Sequence, residues 1–139
     1  MPNFMQTTSN DIGKLLLRLI IGGGMLFHGF SKVIHGISFI EQGVVAAGFP
    51  HILAYGVYVG EVIGPILLIF GIFTRFSALA VAIDMIMAFI LVHHSQIFML
   101  NQGGGWAVEL PALYLFGALA LFFLGGGKIK VTRWQSIWA

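Results

Sequence analysis

The run ILAYGVYVGEVIGPILLIFGIF, residues 52–73, is apolar apart from Glu61. A helix needs about 20 such residues to cross a hydrocarbon core of ~30 Å, so this run predicts a membrane span. Three further stretches read the same way. The first covers residues 12–33, with polar residues recurring at helical spacing out to His35. The next, residues 76–94, contains Asp84 as its only acid, and the last, residues 106–126, contains only Glu109 near its start. No segment of alternating polarity marks a membrane-spanning strand. The expected fold class is therefore all-α: a four-transmembrane-helix bundle making one membrane domain over residues 1–139.

Composition agrees. Of 139 residues, 58% are hydrophobic and 9% charged, where soluble domains carry ~25% charged residues; mean hydropathy is +0.96. There is no cysteine, which excludes a disulfide scaffold, a Cys-ligated metal or iron–sulfur centre, and a membrane enzyme that works by thiol–disulfide exchange. The net charge of +2 is too small and too scattered to suggest a nucleic-acid partner.

Lys and Arg set the expected orientation. Lys14 and Arg18, Arg75, and Lys128, Lys130 and Arg133 fall at one end of the bundle, whereas the opposite connections contribute only Lys32. The positive-inside rule then places both termini in the cytoplasm, with Trp134 and Trp138 suited to an interfacial belt. The polar start, ending Thr8-Ser9-Asn10-Asp11, is suited to capping the first helix. It lacks a basic n-region, so the first helix is expected to be retained. Between the first two spans, Ile37, Ile40, Val44 and Ala47 fall at helical spacing opposite Ser38, Glu41 and Gln42. This predicts a short extracytoplasmic amphipathic helix, ended by Gly48-Phe49-Pro50. Ser95–Gly105 is expected to be a loop. Gly56, Gly60 and Gly64 repeat every four residues, a pattern that serves either internal helix packing or a homo-oligomer interface.

Counting ~1.5 Å per residue, Glu61 and Asp84 each lie about 14 Å deep, and Arg18 roughly 9 Å above the inner end of its helix. These three form an expected midplane layer of one cation and two carboxyls, in which Arg18–Glu61 is either a structural ion pair or part of a pocket. His28, Lys32, His35, His93, His94 and Glu109 form a second layer nearer the outside. His93 and His94 differ by 100° around a helix, so at most one can face a site. No spacing supports a metal, and His28 with His93 or His94 gives only one candidate haem pair. No phosphate loop or hydrolase motif is present.

Two functions survive. One is a membrane subunit of a redox complex that binds a quinone, which needs an apolar cleft, a few donors and a proton relay. The other is a small proton-coupled transporter, or a membrane scaffold. In the first, Glu61 and His28 carry protons, while Arg18, Lys32, Asp84 and Glu109 bind the ligand.

Several fragments occur together in order: Arg18, then Phe27-His28-Gly29-Phe30-Ser31-Lys32, Gly48-Phe49-Pro50, and Glu61-Val62-Ile63-Gly64 leading through Gly71 to Thr74-Arg75. Asp84-Met85 and Gly105-Trp106-Ala107-Val108-Glu109 follow. From Leu15 to Gly127 the set resembles the DoxX family of small bacterial membrane proteins. That resemblance implies a multi-pass protein of the cytoplasmic (inner) membrane. It also implies association with a thiosulfate:quinone oxidoreductase or with membrane complexes handling oxidative and thiol stress. The chain shows no redox centre of its own, so the expected partners are the lipid bilayer and a soluble oxidoreductase. No covalent cofactor and no metal are expected.

Overall fold

The structure, a computed structural model, describes residues 4–132; Arg133, Trp134 and Trp138 lie outside the described residues. Among those described the protein is helical, with a single isolated β-bridge, Leu100 to Trp106. Five helical segments follow in order. They are α1 (Phe4–His35), α2 (Ser38–Ala46), α3 (His51–Phe70), α4 (Thr74–Gln96) and α5 (Glu109–Leu124).

Among the described residues three helices are long and apolar enough to cross a membrane: Thr8–His35 within α1, α3 and α4. The fourth expected span is the 16-residue α5, about 24 Å long and apolar throughout beyond Glu109. Helix α1 starts earlier than the expected residue 12, because a membrane helix does not stop where its apolar run stops. Asp11 consequently sits inside the helix rather than capping it. Its Oδ1 accepts the backbone N–H of Lys128 at 3.0 Å, which brings the start of the bundle beside its tail.

Helices α1, α3, α4 and α5 close a ring in that order, α5 returning against α1. Their shared core runs through Ile21, Met25, Leu68, Val81, Met85 and Leu121. Large apolar side chains such as Leu16, Phe27, Phe116 and Phe123 point outward, as expected where the surroundings are lipid rather than water. The glycines are spent on close approach within the chain. Gly22 meets the Pro65 carbonyl, Gly60 meets Asp84, and Gly64 meets the Val59 and Ser77 carbonyls. The Gly60 and Gly64 positions thus serve internal packing, and Gly56 alone of that stripe has open space beside it.

The α3–α4 turn is a Schellman stop. Gly71 takes φ +71°, its N–H donates to Leu68 O, and the Ile72 N–H donates to Leu67 O; only glycine accepts that left-handed φ without strain. The expected amphipathic helix exists as α2, and Gly48, φ +84°, turns the chain just beyond its end. Ile37 and Val44 are buried with Ala54 and Val57 of α3, whereas Ala47 is exposed. The Ser95–Gly105 connection is more ordered than a plain loop. Asn101 Oδ1 accepts the N–H groups of Gly103 and Gly105, and Trp106 Nε1 donates to Ile97 O.

Candidate functional site

The centre of the site is made by two helices that touch backbone to backbone. Gly29 of α1 lies so close to α3 that a Cβ there would overlap the Glu61 carbonyl. Three residues later on the same helix, Lys32 is held opposite the Glu61 side chain. Its Nζ donates to both carboxylate oxygens, each at 2.5 Å. The Glu61 side chain is 6% exposed and that of Lys32 27%. Such a pair, charge-assisted on both sides, is the strong kind of hydrogen bond.

Local sequence explains why α3 presents Glu61 this way. Val59–Ile63 forms a π turn, with the Gly64 N–H donating to Val59 O rather than to Gly60 O. Pro65 has no N–H to return to the Glu61 carbonyl and crowds the residue four before it, which relieves itself by widening the turn. A second π turn, Phe89–His93, lies on α4 at His93.

Asp84 completes the cluster. It packs against Gly60, whose missing side chain leaves the room, and stands within electrostatic reach of both Glu61 and Lys32. Its Oδ2 is buried and makes no hydrogen bond. The cluster therefore contains one ammonium and two carboxyl groups.

Beyond it opens a cavity of about 700 Å³, within the range of sites that hold drug-sized molecules, roughly 300–1,000 Å³. Lys32, Glu61 and Asp84 line one part of it, joined by the rings of His28, His93 and Tyr114; most of the remaining wall is apolar. His28 meets Tyr114 edge-on at 5.8 Å between centroids, and His93 Nδ1 lies 2.9 Å from Gln96 Oε1. Helix α2 is part of the wall through Phe39, Ile40, Gly43 and Val44.

Four of the six expected site residues meet here: His28, Lys32, Glu61 and Asp84. Arg18 does not join them, which corrects the expected layer with Glu61. Arg18 is 1% exposed. Its guanidinium donates to the carbonyls of Leu68 (2.8 Å), Ile69 (2.8 Å), Gly126 (2.9 Å) and Ile129 (2.6 Å). The C-terminal turn of α3 leaves carbonyls without helical donors and carries the negative end of the dipole. Gly71, lacking a Cβ, leaves the guanidinium its space. Arg18 and Lys32 are separated along α1 by about 21 Å, so only Lys32 is level with Glu61. The other departure is Glu109, exposed at the first turn of α5 and absent from the cavity wall. Among the histidines, His93 lines the cavity and His94 does not, while His35 turns back onto the Ser31 carbonyl at 2.9 Å.

Tyr114 and the α2 residues were not expected at the site. A phenol inside an otherwise apolar span was the available signal for Tyr114, since its hydroxyl needs a place to go; the ring fills the space beside Gly24. Among the described residues no group of three or more His, Asp or Glu is placed to hold a metal ion.

The DoxX family profile matches residues 13–94. A Bacillus subtilis (strain 168) protein described as "Putative oxidoreductase CatD" is 35% identical over 126 residues, covering 86% of this chain and 93% of that protein. A Haemophilus influenzae protein described only as uncharacterized is 32% identical over 120 residues, covering 84% of this chain and 86% of that one. No solved structure matches.

Proposed function

The chain belongs to the DoxX family, and from that premise we propose that it is the membrane subunit of a redox complex, holding a quinone-like ligand in the cavity beside Lys32 and Glu61. The observation that carries this reading is the placement of that ion pair at the wall of a largely apolar space of about 700 Å³. A molecule with an apolar body and an oxygen-bearing head fits such a wall. Lys32 and His28 supply donors for a carbonyl head, and Glu61 with His28 handles protons. The description of the Bacillus subtilis relative as an oxidoreductase supports the same class. In this reading electrons reach the ligand from a soluble oxidoreductase partner. The protein then spans the inner membrane four times, α5 being the fourth span, with both termini and the Lys14, Arg75 and Lys128 end in the cytoplasm.

Filling the cavity tests the reading without touching its polar groups. Gly43 lines the cavity from α2 and has nothing within 4 Å of where a Cβ would stand. Gly43→Leu projects a side chain into the ligand's space. In lipid nanodiscs, calorimetric titration with a short-chain benzoquinone should show affinity lowered about tenfold, within the roughly 1–3 kcal/mol of overfilled sites. Thermal stability should hold or rise by about 0.5–1 kcal/mol, because leucine replaces glycine inside a helix. Unchanged affinity in a folded variant would place the ligand elsewhere.

A further inference from the structure

The hydrogen-bonding capacity left over in the Lys32–Glu61–Asp84 cluster is unequal. A lysine ammonium has three N–H donors, and a carboxylate has about four lone-pair sites. Lys32 directs its Nζ at both oxygens of Glu61, so two of its three N–H donors are committed and one is left. Each Glu61 oxygen keeps a further lone-pair position. Asp84 adds a second carboxyl with an unpartnered, enclosed oxygen, and among the described residues no second lysine or arginine lines the cavity: the remaining ionisable groups on its wall are His28 of α1, His93 of α4 and Tyr114 of α5. Asp84 shares the cavity wall, with its Oδ2 enclosed, and lies beside Glu61, whose carboxylate the ion pair fixes in place.

We propose that the cavity selects the hydroxyl-bearing, reduced form of its ligand, a hydroquinone-type head whose O–H donates to Glu61, over the carbonyl-bearing oxidised form. This rests on the reading that the cavity holds a quinone-like molecule and specifies which redox form it holds. A carbonyl head offers only acceptors. To bind, it has only the one remaining Lys32 N–H and His28 to accept from, and any stronger hold on Lys32 weakens the ion pair and leaves a carboxylate short of its partner in a low-dielectric wall. A hydroxyl head adds a donor to Glu61 and leaves the ion pair intact. It gains a bond to a charged acceptor, stronger than a neutral one. No bond to hydrogen is broken and no electron moves in this step; it is a difference of affinities between two forms of one molecule.

Three probes with the same short alkyl tail separate the possibilities under anaerobic conditions: the benzohydroquinone, the benzoquinone, and the hydroquinone dimethyl ether, which keeps the body but loses both donors. Each is titrated against the full chain in nanodiscs, with empty discs subtracted for partition into lipid. The expected result is hydroquinone binding about tenfold tighter than either other probe. In the variant carrying Lys32→Met and Glu61→Gln together, which removes the Glu61 charge along with its cation, the preference should fall below about threefold while binding persists. Equal binding of the three, tighter binding of the quinone, or a preference that survives in the paired variant overturns the proposal and leaves the cavity reading standing. Failure of all three probes to bind the folded wild type overturns the cavity reading itself.

Discussion

Lys32→Met should destabilise the protein by about 3–5 kcal/mol, the scale for removing one partner of a buried ion pair. The Glu61 carboxylate that Lys32 holds is nearly enclosed and, among the described residues, pairs with no other lysine or arginine. In the low-dielectric interior it must either remain charged without compensation or take up a proton. Combining Lys32→Met with Glu61→Gln should restore most of the loss, because a neutral pair of similar size leaves no Glu61 charge without its cation. Thermal unfolding of the four proteins of this double-mutant cycle in nanodiscs measures the coupling. If the losses of the single variants simply add in the paired one, Lys32 and Glu61 do not function as a pair.

The second large effect belongs to the opposite end of α1. Arg18→Met removes a guanidinium that donates to four carbonyls from α3 and the tail. It should also cost about 3–5 kcal/mol; each bond to a charged group contributes about 1.5–3 kcal/mol, and water at the membrane interface recovers part of the sum. Arg18→Lys should rescue little, since an ammonium lacks the planar fork that reaches the Leu68 and Ile69 carbonyls on one side and those of Gly126 and Ile129 on the other. Ligand affinity of whatever fraction folds should be unchanged, because Arg18 does not line the cavity. A variant that is stable but binds weakly would put Arg18 back among the ligand-binding residues.

The contrast between these residues shows how far the sequence could be read. Three of the spans were legible because the lipid core demands about 20 apolar residues, and α2 was legible from the helical spacing of Ile37, Ile40 and Val44. Depth was harder. Counting residues from the apolar boundary at Ile12 placed Arg18 level with Glu61, but the helix continues back to Phe4 and Arg18 lies level with the last turn of α3. Depth alone also says nothing about lateral neighbours. Lys32 was assigned to an outer layer, yet its flexible stem brings the ammonium to Glu61 once Gly29 sets the crossing. Glu109 shows the complementary limit, since an acid at a helix start can face away from the bundle as readily as into it. The wall contributed by α2 and Tyr114 depends on tertiary packing that no local period encodes. Asp84, in contrast, was legible as a lone acid deep in a span, where such residues mark functional or paired sites.

The most direct test of the central claim, that the cavity beside Lys32 and Glu61 is the ligand site, is to locate the ligand. A photoreactive short-chain benzoquinone, irradiated with the full chain in nanodiscs, leaves a covalent mark that peptide mass spectrometry can place. Labelling concentrated on the α2 and α3 cavity residues Phe39, Ile40, Leu53 and Val57, and displaced by excess unlabelled quinone, is the predicted result. Labelling confined to outward-facing residues such as Phe27, Phe116 and Phe123, and indifferent to competitor, would mean that the quinone only dissolves in the surrounding lipid, and the account of the cavity would be wrong.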